Sequence, residues 1–326
     1  MNLISVYPAN DRIDIACYQG KEKVGTTSVP YPECSCEIGS VVETVKNVFS
    51  VDNFDVGVTC YSMAPQTFDG FLALTPDVVD GICQAKYGFD KTNYGTIILA
   101  SIGAKKMVSA YPLTYDCFSD VMRFSGIPQI ERRMVGRYLD HSLAYNFAQK
   151  SCGQNKPVVT CYLSNDEITM AAWRDGKLLN MNSSWDGEGS MTMTRSGFFH
   201  QKCVYRLCFS GKKTREEMIA RVRFNGGVFS HLGIADLKEL EEVVAKGDQK
   251  AKVIYDAMVY QISKTIGRMA VMCQRPEMIV FTGPLSTNAK FVGDIKGYID
   301  YICKTETAPA FDGTDELAGL VWSHEQ

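Results

Sequence analysis

The sequence predicts an α/β protein made of two duplicated lobes, each a mixed β-sheet flanked by helices. The chain has 326 residues, which is longer than a single hydrophobic core usually grows. Each half opens with short β-prone runs that are followed by helical segments. The two openings also share sequence letters at the same turn. We therefore predict one lobe at residues 1–150 and a second at residues 151–326.

The opening strands of each half are predicted from short β-prone runs that tight turns separate. In the first half the runs are Leu3–Tyr7, Ile13–Tyr18 and Lys23–Val29, and in the second half they are Val158–Leu163, Ile168–Trp173 and Lys177–Asn182. The first hairpin reads Tyr7-x-x-Asn10-Asp11-x-Ile13, and the corresponding hairpin of the second half reads Tyr162-x-x-Asn165-Asp166-x-Ile168. Chance is one explanation of so short a match. Its position at equivalent turns of two similar strand meanders favours a duplicated lobe.

Helices are predicted from end signals and from apolar periodicity. Thr75-Pro76-Asp77 begins a helix with an N-cap and a proline in the first turn, and Thr214 with Glu217 forms a capping box. The remaining predicted elements are helices over Glu37–Phe49, Gln129–Lys150, Asp236–Ala245 and Asp248–Cys273, and a buried strand over Met278–Phe281.

Composition and charge narrow the classes of partner and the cellular location. The formal net charge is −3, which gives no electrostatic reason to expect nucleic acid or an anionic membrane as a partner. No apolar run approaches the length of a membrane span, and the first residues lack the features of a secretory signal. Twelve cysteines are scattered without a C-x-x-C pair, and the closest two are Cys34 and Cys36. We expect a cytoplasmic protein whose cysteines are reduced thiols.

Several blocks of letters in the second half occur in a specific order. They are Asp186-Gly187-Glu188-Gly189, Arg195-Ser196-Gly197, Cys208-Phe209-Ser210-Gly211-Lys212, Asn225-Gly226-Gly227 and Tyr255-Asp256-Ala257-Met258. In this order the blocks resemble the butyrate kinases, which belong to the acetate and butyrate kinase family of the actin-like ATPase superfamily. The resemblance implies two actin-like, ribonuclease-H-like lobes that face a cleft.

The resemblance also implies a reaction, its cofactors and an assembly. Members of the family transfer the γ-phosphoryl group of ATP to a short-chain carboxylate and form an acyl phosphate, with Mg²⁺ as the metal. Backbone N–H groups of glycine-rich hairpins, the metal and cationic side chains offset the charge of the two anions. The carboxyl-terminal lobe supplies the nucleotide side and the dimer contact in the family. A homodimer, or a hetero-oligomer with another enzyme subunit, is therefore the implied assembly.

Site residues follow from the same resemblance. Arg195 is implied to contact phosphate or carboxylate, and Glu316 matches an acid that supports magnesium binding. The residues implied to bind the cofactor are Asn10, Asp11, Asn165, Asp166, Asn225, Gly226, Gly227, Thr282 and Gly283, and Asp186 and Glu188 are implied as a possible magnesium shell. Each residue type also has an ordinary structural use. An arginine can lie at the surface, glycine pairs end helices, and acids near helix starts or in turns are common.

The sequence departs from the family pattern at the positions that should hold phosphate. The first phosphate hairpin of the family is an Asn-Pro-Gly run followed by a hydroxyl residue and lysine, and this chain has Tyr7–Ile13 followed by Asp14. The second is His-Met followed by three glycines, and this chain has Leu163–Glu167. An expected arginine falls near Tyr61, and an expected aspartate is Tyr111. Expected histidines are missing near Asp90 and Arg137, and Pro284 replaces a glycine of the adenosine segment.

These departures lead to three hypotheses. The preferred one is a paralogue with little or no phosphoryl transfer that is retained for binding or assembly. The second is an active acyl kinase with atypical loops, in which Asp11 or Asp166 holds magnesium through water. The third is a sensor whose cleft binds a nucleotide or an organic acid without turnover.

Overall fold

A computed structural model describes residues 1–33, 37–49 and 53–324. Cys34 and Cys36 lie outside these residues. The chain forms two compact units, of which one contains Met1–Asp116 together with Phe311–Gln326 and the other contains Cys117–Ala310. The first unit therefore ends before residue 150 and includes the final segment of the chain. The predicted lobes at 1–150 and 151–326 stay a prediction.

The strands divide between two mixed sheets, one in each unit. The strands of the first unit are β1 (Asn2–Pro8), β2 (Arg12–Gln19), β3 (Glu22–Pro30), β4 (Val56–Cys60), β5 (Phe71–Ala73) and β6 (Lys106–Ala110). Those of the second unit are β7 (Val158–Leu163), β8 (Ile168–Arg174), β9 (Lys177–Met181), β10 (Met278–Thr282) and β11 (Lys304–Thr307).

The helices follow in chain order. They are α1 (Ile38–Val48), α2 (Pro76–Cys83), α3 (Asn93–Ile102), α4 (Asp120–Arg123), α5 (Tyr138–Cys152), α6 (Gln201–Cys208), α7 (Arg215–Arg223), α8 (Gly227–Leu232), α9 (Leu237–Ala245), α10 (Gln249–Cys273), α11 (Ala289–Ile299) and α12 (Gly313–His324). Among the described helices, none combines the length and the apolar character that a membrane span requires.

In the first unit the strand order is β3-β2-β1-β4-β6-β5. The strands β1, β2 and β3 form an antiparallel meander, whereas β1, β4 and β6 run parallel. Alternate residues of a strand point to opposite faces. Ile4 and Val6 pack in the core that also contains residues of α1 and α3, whereas the Ser5 hydroxyl on the other face donates to the Thr314 carbonyl oxygen of α12 at 3.0 Å.

In the second unit the strand order is β11-β10-β7-β8-β9. The strands β7, β8 and β9 form an antiparallel meander, and β7, β10 and β11 run parallel. Val159 and Cys161 pack in the core that contains residues of α10 and α11. Thr160 points to the other face, where its hydroxyl lies 2.8 Å from Nδ1 of His141 in α5.

The two sheets thus repeat one plan. Each has an antiparallel three-strand meander, and the first strand of the meander also pairs in parallel with a later strand. This arrangement confirms the predicted fold class and all six opening strands. The matched letters lie at the β1–β2 turn and at the β7–β8 turn, which are equivalent positions of the two sheets. The cysteines within the described residues are free thiols, as expected from their scattered spacing.

Most helix ends agree with their sequence signals, and one helix was predicted wrongly. Thr214 and Glu217 form both bonds of the capping box, and Asp236 and Asp248 cap α9 and α10. The helix predicted over Gln129–Lys150 begins only at Tyr138. The residues before it are not helical: the Arg132 backbone N–H donates to the Arg123 carbonyl and not to the residue four positions back, and the Arg132 and Arg133 side chains bind Glu188 and Asp186 far along the chain.

Candidate functional site

The β1–β2 turn of the first unit contains Asn10 and Asp11, which were predicted to bind the cofactor. Two carbonyl oxygens of this turn accept hydrogen bonds from side chains of the same unit. The Tyr31 hydroxyl donates to the Ala9 carbonyl at 2.7 Å, and Nζ of Lys91 donates to the Asn10 carbonyl at 2.5 Å. These two bonds fix the path of the backbone at the tip of the hairpin.

The charges of this turn pair with each other. Arg12 Nε donates to Asp14 Oδ1 at 2.8 Å, and its Nη1 lies 3.5 Å from Asp11 Oδ1. The pKa of Arg12 is raised chiefly by the hydrogen bond to Asp14. Asp14 also accepts a hydrogen bond from the Ser28 hydroxyl at 2.6 Å. The position where the family implies a lysine thus holds a carboxylate that is engaged by its neighbours.

The β7–β8 turn of the second unit contains Asn165 and Asp166. The Ser164 hydroxyl lies 2.9 Å from Asp166 Oδ1 and also accepts from the Glu167 backbone N–H at 2.9 Å. The Asn165 amide donates to Asp236 Oδ2 at 2.9 Å, and its Oδ1 accepts from the Leu237 backbone N–H at 3.1 Å. The polar groups of this tip are therefore used to close the turn and to hold the start of α9.

Glu167 at the same turn faces a buried arginine. Arg137 Nε lies 3.6 Å from Glu167 Oε2, and Arg137 Nη1 lies 3.6 Å from Asp140 Oδ2. The guanidinium also lies over the ring of Tyr162, 5.2 Å from its centroid. All four residues are buried. An arginine thus lies near the position where the resemblance implies a histidine, and it pairs with an acid of the turn where the resemblance implies glycines.

The end of β10 lies against the end of β7, which brings Thr282 and Gly283 close to this turn. Thr282 is in register with Tyr162. Gly283 has a φ of +87°, and a Cβ placed there would lie 2.7 Å from the Leu163 carbonyl oxygen. Glycine is required by both the backbone conformation and the close contact. The structure therefore brings together the residues predicted around Asn165 and those predicted at the end of β10.

The glycine pair Gly226-Gly227 begins α8 and packs on the loop that contains Arg195. A Cβ on Gly226 would lie 2.6 Å from the Ser196 backbone nitrogen, and a Cβ on Gly227 would lie 2.1 Å from the Thr192 carbonyl oxygen. Asn225, just before the pair, is exposed, and its backbone N–H donates to the Ala220 carbonyl at 2.8 Å. The glycines thus permit a close contact between backbones and do not end a helix.

The two predicted catalytic residues fall in different units. Arg195 is buried, its Nη1 donates to the Ser184 hydroxyl at 2.7 Å, and its guanidinium lies 5.7 Å from the centroid of the Trp185 ring. Glu316 is half-buried in the first turn of α12, where its backbone N–H donates to the Asp312 carbonyl at 3.1 Å.

Asp186 and Glu188 were predicted as a possible magnesium shell, and their geometry does not fit that role. Arg132 donates to both oxygens of Glu188 at 2.8 and 3.1 Å. Arg133 donates to both oxygens of Asp186 at 3.1 and 3.0 Å. Bidentate pairing of this kind uses the oxygens that a cation would need. Within the described residues, no group of three or more His, Cys, Asp or Glu side chains could hold a metal ion.

The ends of β4 and β6 carry strained tyrosines that the sequence did not suggest as site residues. Tyr61 has a φ of +61° and Tyr111 a φ of +45°, a region that bulky residues rarely adopt. The Tyr7 and Tyr61 rings lie 6.2 Å apart between centroids, and those of Tyr111 and Tyr115 lie 5.3 Å apart. Aromatic rings thus occupy the strand ends where the family implies an arginine and an aspartate.

Two glycines leave room for the rings of Tyr7 and Tyr111. A Cβ on Gly313 would lie 2.3 Å from the Tyr7 ring, and a Cβ on Gly70 would lie 2.6 Å from the Tyr111 ring. The Tyr61 backbone N–H donates to the Tyr111 carbonyl at 3.3 Å, which joins the two strained residues. The sequence signal that could have identified this cluster is a tyrosine directly after each of two buried strands.

Comparisons with known proteins place this arrangement in a family. The model of the acetokinase family matches residues 127–296. Butyrate kinase 2 of Clostridium acetobutylicum is 25% identical over 338 residues, which cover 98% of this chain and 94% of that protein. A probable butyrate kinase of Listeria monocytogenes is 30% identical over 257 residues, which cover 77% of this chain and 72% of that protein.

Solved structures agree on the fold. The acetate kinase of Porphyromonas gingivalis superposes with a TM-score of 0.76 at 14% identity and covers 100% of both chains. A propionate kinase of Francisella tularensis gives a TM-score of 0.75 at 14% identity and covers 92% of this chain and 88% of that one. At this identity the likeness concerns the fold alone, which is the two-lobed actin-like fold. Together with the matched family model, these findings show that the chain belongs to the acetokinase family.

Proposed function

We propose that this member of the acetokinase family has little or no phosphoryl transfer activity and serves as a binding or assembly subunit. The observation that carries the proposal is the β7–β8 turn. Its hydroxyl and amide groups bind within the turn and to α9, and its acid Glu167 is paired with the buried Arg137. A turn that binds phosphate instead presents backbone N–H groups on glycines.

The magnitudes support a large loss of rate. Removing one donor that stabilises developing negative charge typically costs about 10²–10³ in rate. In this chain both implied glycine hairpins, the lysine position at Asp14 and the arginine position near Tyr61 differ from the family. A carboxylate at either tip would also repel the phosphates of ATP. We therefore expect ATP consumption with butyrate, acetate or branched acids to lie near the background rate.

The assembly part of the proposal rests on the retained second unit. The family model matches residues 127–296, which lie in that unit, and the family resemblance implies a dimer contact there. We expect the protein to act in the cytoplasm, as a homodimer or together with an active acyl kinase or another enzyme subunit. Purification from its native cell in a complex with such an enzyme supports this part, and a monomer without a partner contradicts it.

Calorimetry with Mg²⁺–ATP is the decisive test. The expected result is no binding at millimolar ligand, and the matched experiment replaces residues Ser164–Glu167 by glycines in an Arg137→His background. A gain of nucleotide binding in that variant supports the assignment of the turn as the altered phosphate site. Micromolar binding together with steady turnover by the unmodified chain restores the active-kinase hypothesis. Nucleotide binding without turnover across a panel of acids favours the sensor hypothesis.

A further inference from the structure

A cavity of about 420 Å³ lies between α6 and α7 in the second unit, beside the buried Trp185. Its size is in the range of small-molecule sites. It shares no residue with the β1–β2 turn or the β7–β8 turn. Neither hairpin therefore accounts for it, and the residues that line it indicate the chemistry of its ligand.

The walls of the cavity are apolar. The helix α7 contributes Met218, Ile219 and Val222, and α6 contributes Val204 and Cys208. These residues follow the spacing of one helix face. Both helices are fully described, and neither contains a buried residue. Apolar helix faces normally pack on a core, whereas these two faces remain partly exposed. A ligand that covers them would therefore bury apolar surface.

The polar end of the cavity is cationic. The guanidinium of Arg223 lies 4.1 Å from the centroid of the Trp185 ring, and its Nε donates to the Trp185 carbonyl at 3.3 Å. Lys213 and Arg215 line the same cavity. Burial lowers the pKa of Arg223, and the charges of Arg133, Arg195 and Arg215 lower it further, against the opposing effect of Asp186. The one acid in the lining, Asp186, is already held by Arg133.

We propose that this cavity binds an amphipathic organic anion, with its acidic head at Arg223 and its apolar chain between α6 and α7. The guanidinium is fixed on the Trp185 ring, so it is oriented before a ligand arrives. The apolar walls extend from it along α7, which suits a chain longer than that of butyrate. Binding at this site does not depend on whether the protein transfers phosphate.

Octanoate is the probe that tests the proposal, and its binding is measured by calorimetry. The unmodified protein binds octanoate saturably, with a dissociation constant on the order of micromolar to tens of micromolar. Butyrate binds at least about tenfold more weakly because it buries less apolar surface. Octanol binds at least about tenfold more weakly because it lacks the charge that pairs with the guanidinium.

Variants locate the site. Arg223→Gln weakens octanoate binding at least about tenfold, whereas Arg221→Gln, an exposed arginine of the same helix outside the cavity lining, changes it by less than about twofold. Ile219→Trp fills the cavity and abolishes binding. Thermal unfolding of each variant shows that it is folded. The proposal is overturned if octanoate does not bind at millimolar concentration, or if folded R223Q and I219W bind it as the unmodified protein does.

Discussion

The β1–β2 and β7–β8 turns occupy equivalent positions of the two sheets and carry the same Asn-Asp pair, yet they are held in different ways. In the first unit the turn is fixed through its backbone carbonyls, and its charged side chains are exposed. In the second unit the Asn165 side chain reaches α9, and Glu167 faces a buried arginine. The same letters therefore contribute differently to stability, according to the residues that surround each turn.

The largest expected effect is the removal of the buried arginine. Arg137→Met leaves Asp140 and Glu167 as two buried carboxylates without this cation, and breaking a buried ion pair costs about 3 kcal/mol or more. The matched change in the first unit is Arg12→Met, whose side chain is 53% exposed, and an exposed pair contributes about 0–1 kcal/mol. Urea unfolding of both variants measures the difference. Equal losses would contradict the comparison.

The second prediction concerns acid and the core of the second unit. His141 is fully buried between the hydroxyls of Thr160 and Thr169, and burial lowers its pKa from 6.5 to about 3. In the unfolded chain the ring binds a proton below about pH 6.5, whereas in the folded state it stays neutral down to about pH 3. The unfolded state thus binds more protons in this range, and stability falls as pH drops through it.

The magnitude at pH 5 is about 2 kcal/mol, since each unit of pKa difference corresponds to about 1.4 kcal/mol. His141→Gln removes the titration and keeps a polar side chain between the two threonines. The free energy of unfolding is measured for both proteins between pH 7.5 and 5. The wild type should lose more than the variant over this interval. Parallel curves would show that His141 does not carry the effect.

The third prediction separates the two asparagines. Asn165→Ala removes hydrogen bonds to Asp236 and to the Leu237 backbone N–H, and the loss of such groups at a helix start costs about 1–2 kcal/mol. Asn10→Ala leaves the backbone carbonyl that Lys91 binds and should change stability by less than about 0.5 kcal/mol. Unfolding midpoints in urea distinguish the two, and a larger loss for N10A would reverse the interpretation.

Sequence patterns predicted the features that depend on neighbours along the chain. The strand meanders, the capping box at Thr214 and the caps at Asp236 and Asp248 are local, and they are confirmed. The helix predicted before Tyr138 is absent because the Arg132 backbone N–H binds the Arg123 carbonyl, while the Arg132 side chain binds Glu188, 56 residues away. The apolar spacing over Gln129–Lys150 carries no information about a contact with a residue so distant in sequence.

The candidate site shows the same limit. The sequence indicated which residues lie in the two turns, and the structure places them there. The sequence did not indicate that Lys91 would bind the backbone of one turn, or that Asp236 would bind Asn165 in the other. The tyrosines at the ends of β4 and β6 were noticed only as departures from a family pattern. Their left-handed backbone lies among contacts that are distant in sequence: Gly70 leaves room for the Tyr111 ring, and Gly313 leaves room for the Tyr7 ring, which lies beside Tyr61.

The last prediction concerns acid in the first unit, and its effect is the smallest. Lys23 Nζ lies 2.8 Å from Asp312 Oδ2 and 2.7 Å from Asp315 Oδ1, which ties β3 to the start of α12. Burial alone would raise the pKa of Asp312, but hydrogen bonds from Lys23 and Thr314 lower it to about 2. The carboxylate therefore stabilises the folded state above about pH 3.8, and this contribution is lost as pH falls toward 2.

Lys23→Met should lower the free energy of unfolding at pH 7 by less than about 1 kcal/mol, since the pair is partly exposed. The loss should shrink in high salt, which screens surface charges, and between pH 4 and 2, where the wild type loses the same interaction. His141 acts in the range from about pH 6.5 to 3, so acid should affect the second unit before it affects this contact. Urea unfolding of K23M and H141Q at pH 7.5 and at pH 5 tests that order. Between these two pH values H141Q should lose less stability than the wild type, whereas K23M should lose as much as the wild type does. If K23M also loses less than the wild type, the two units do not differ in the pH range in which they weaken.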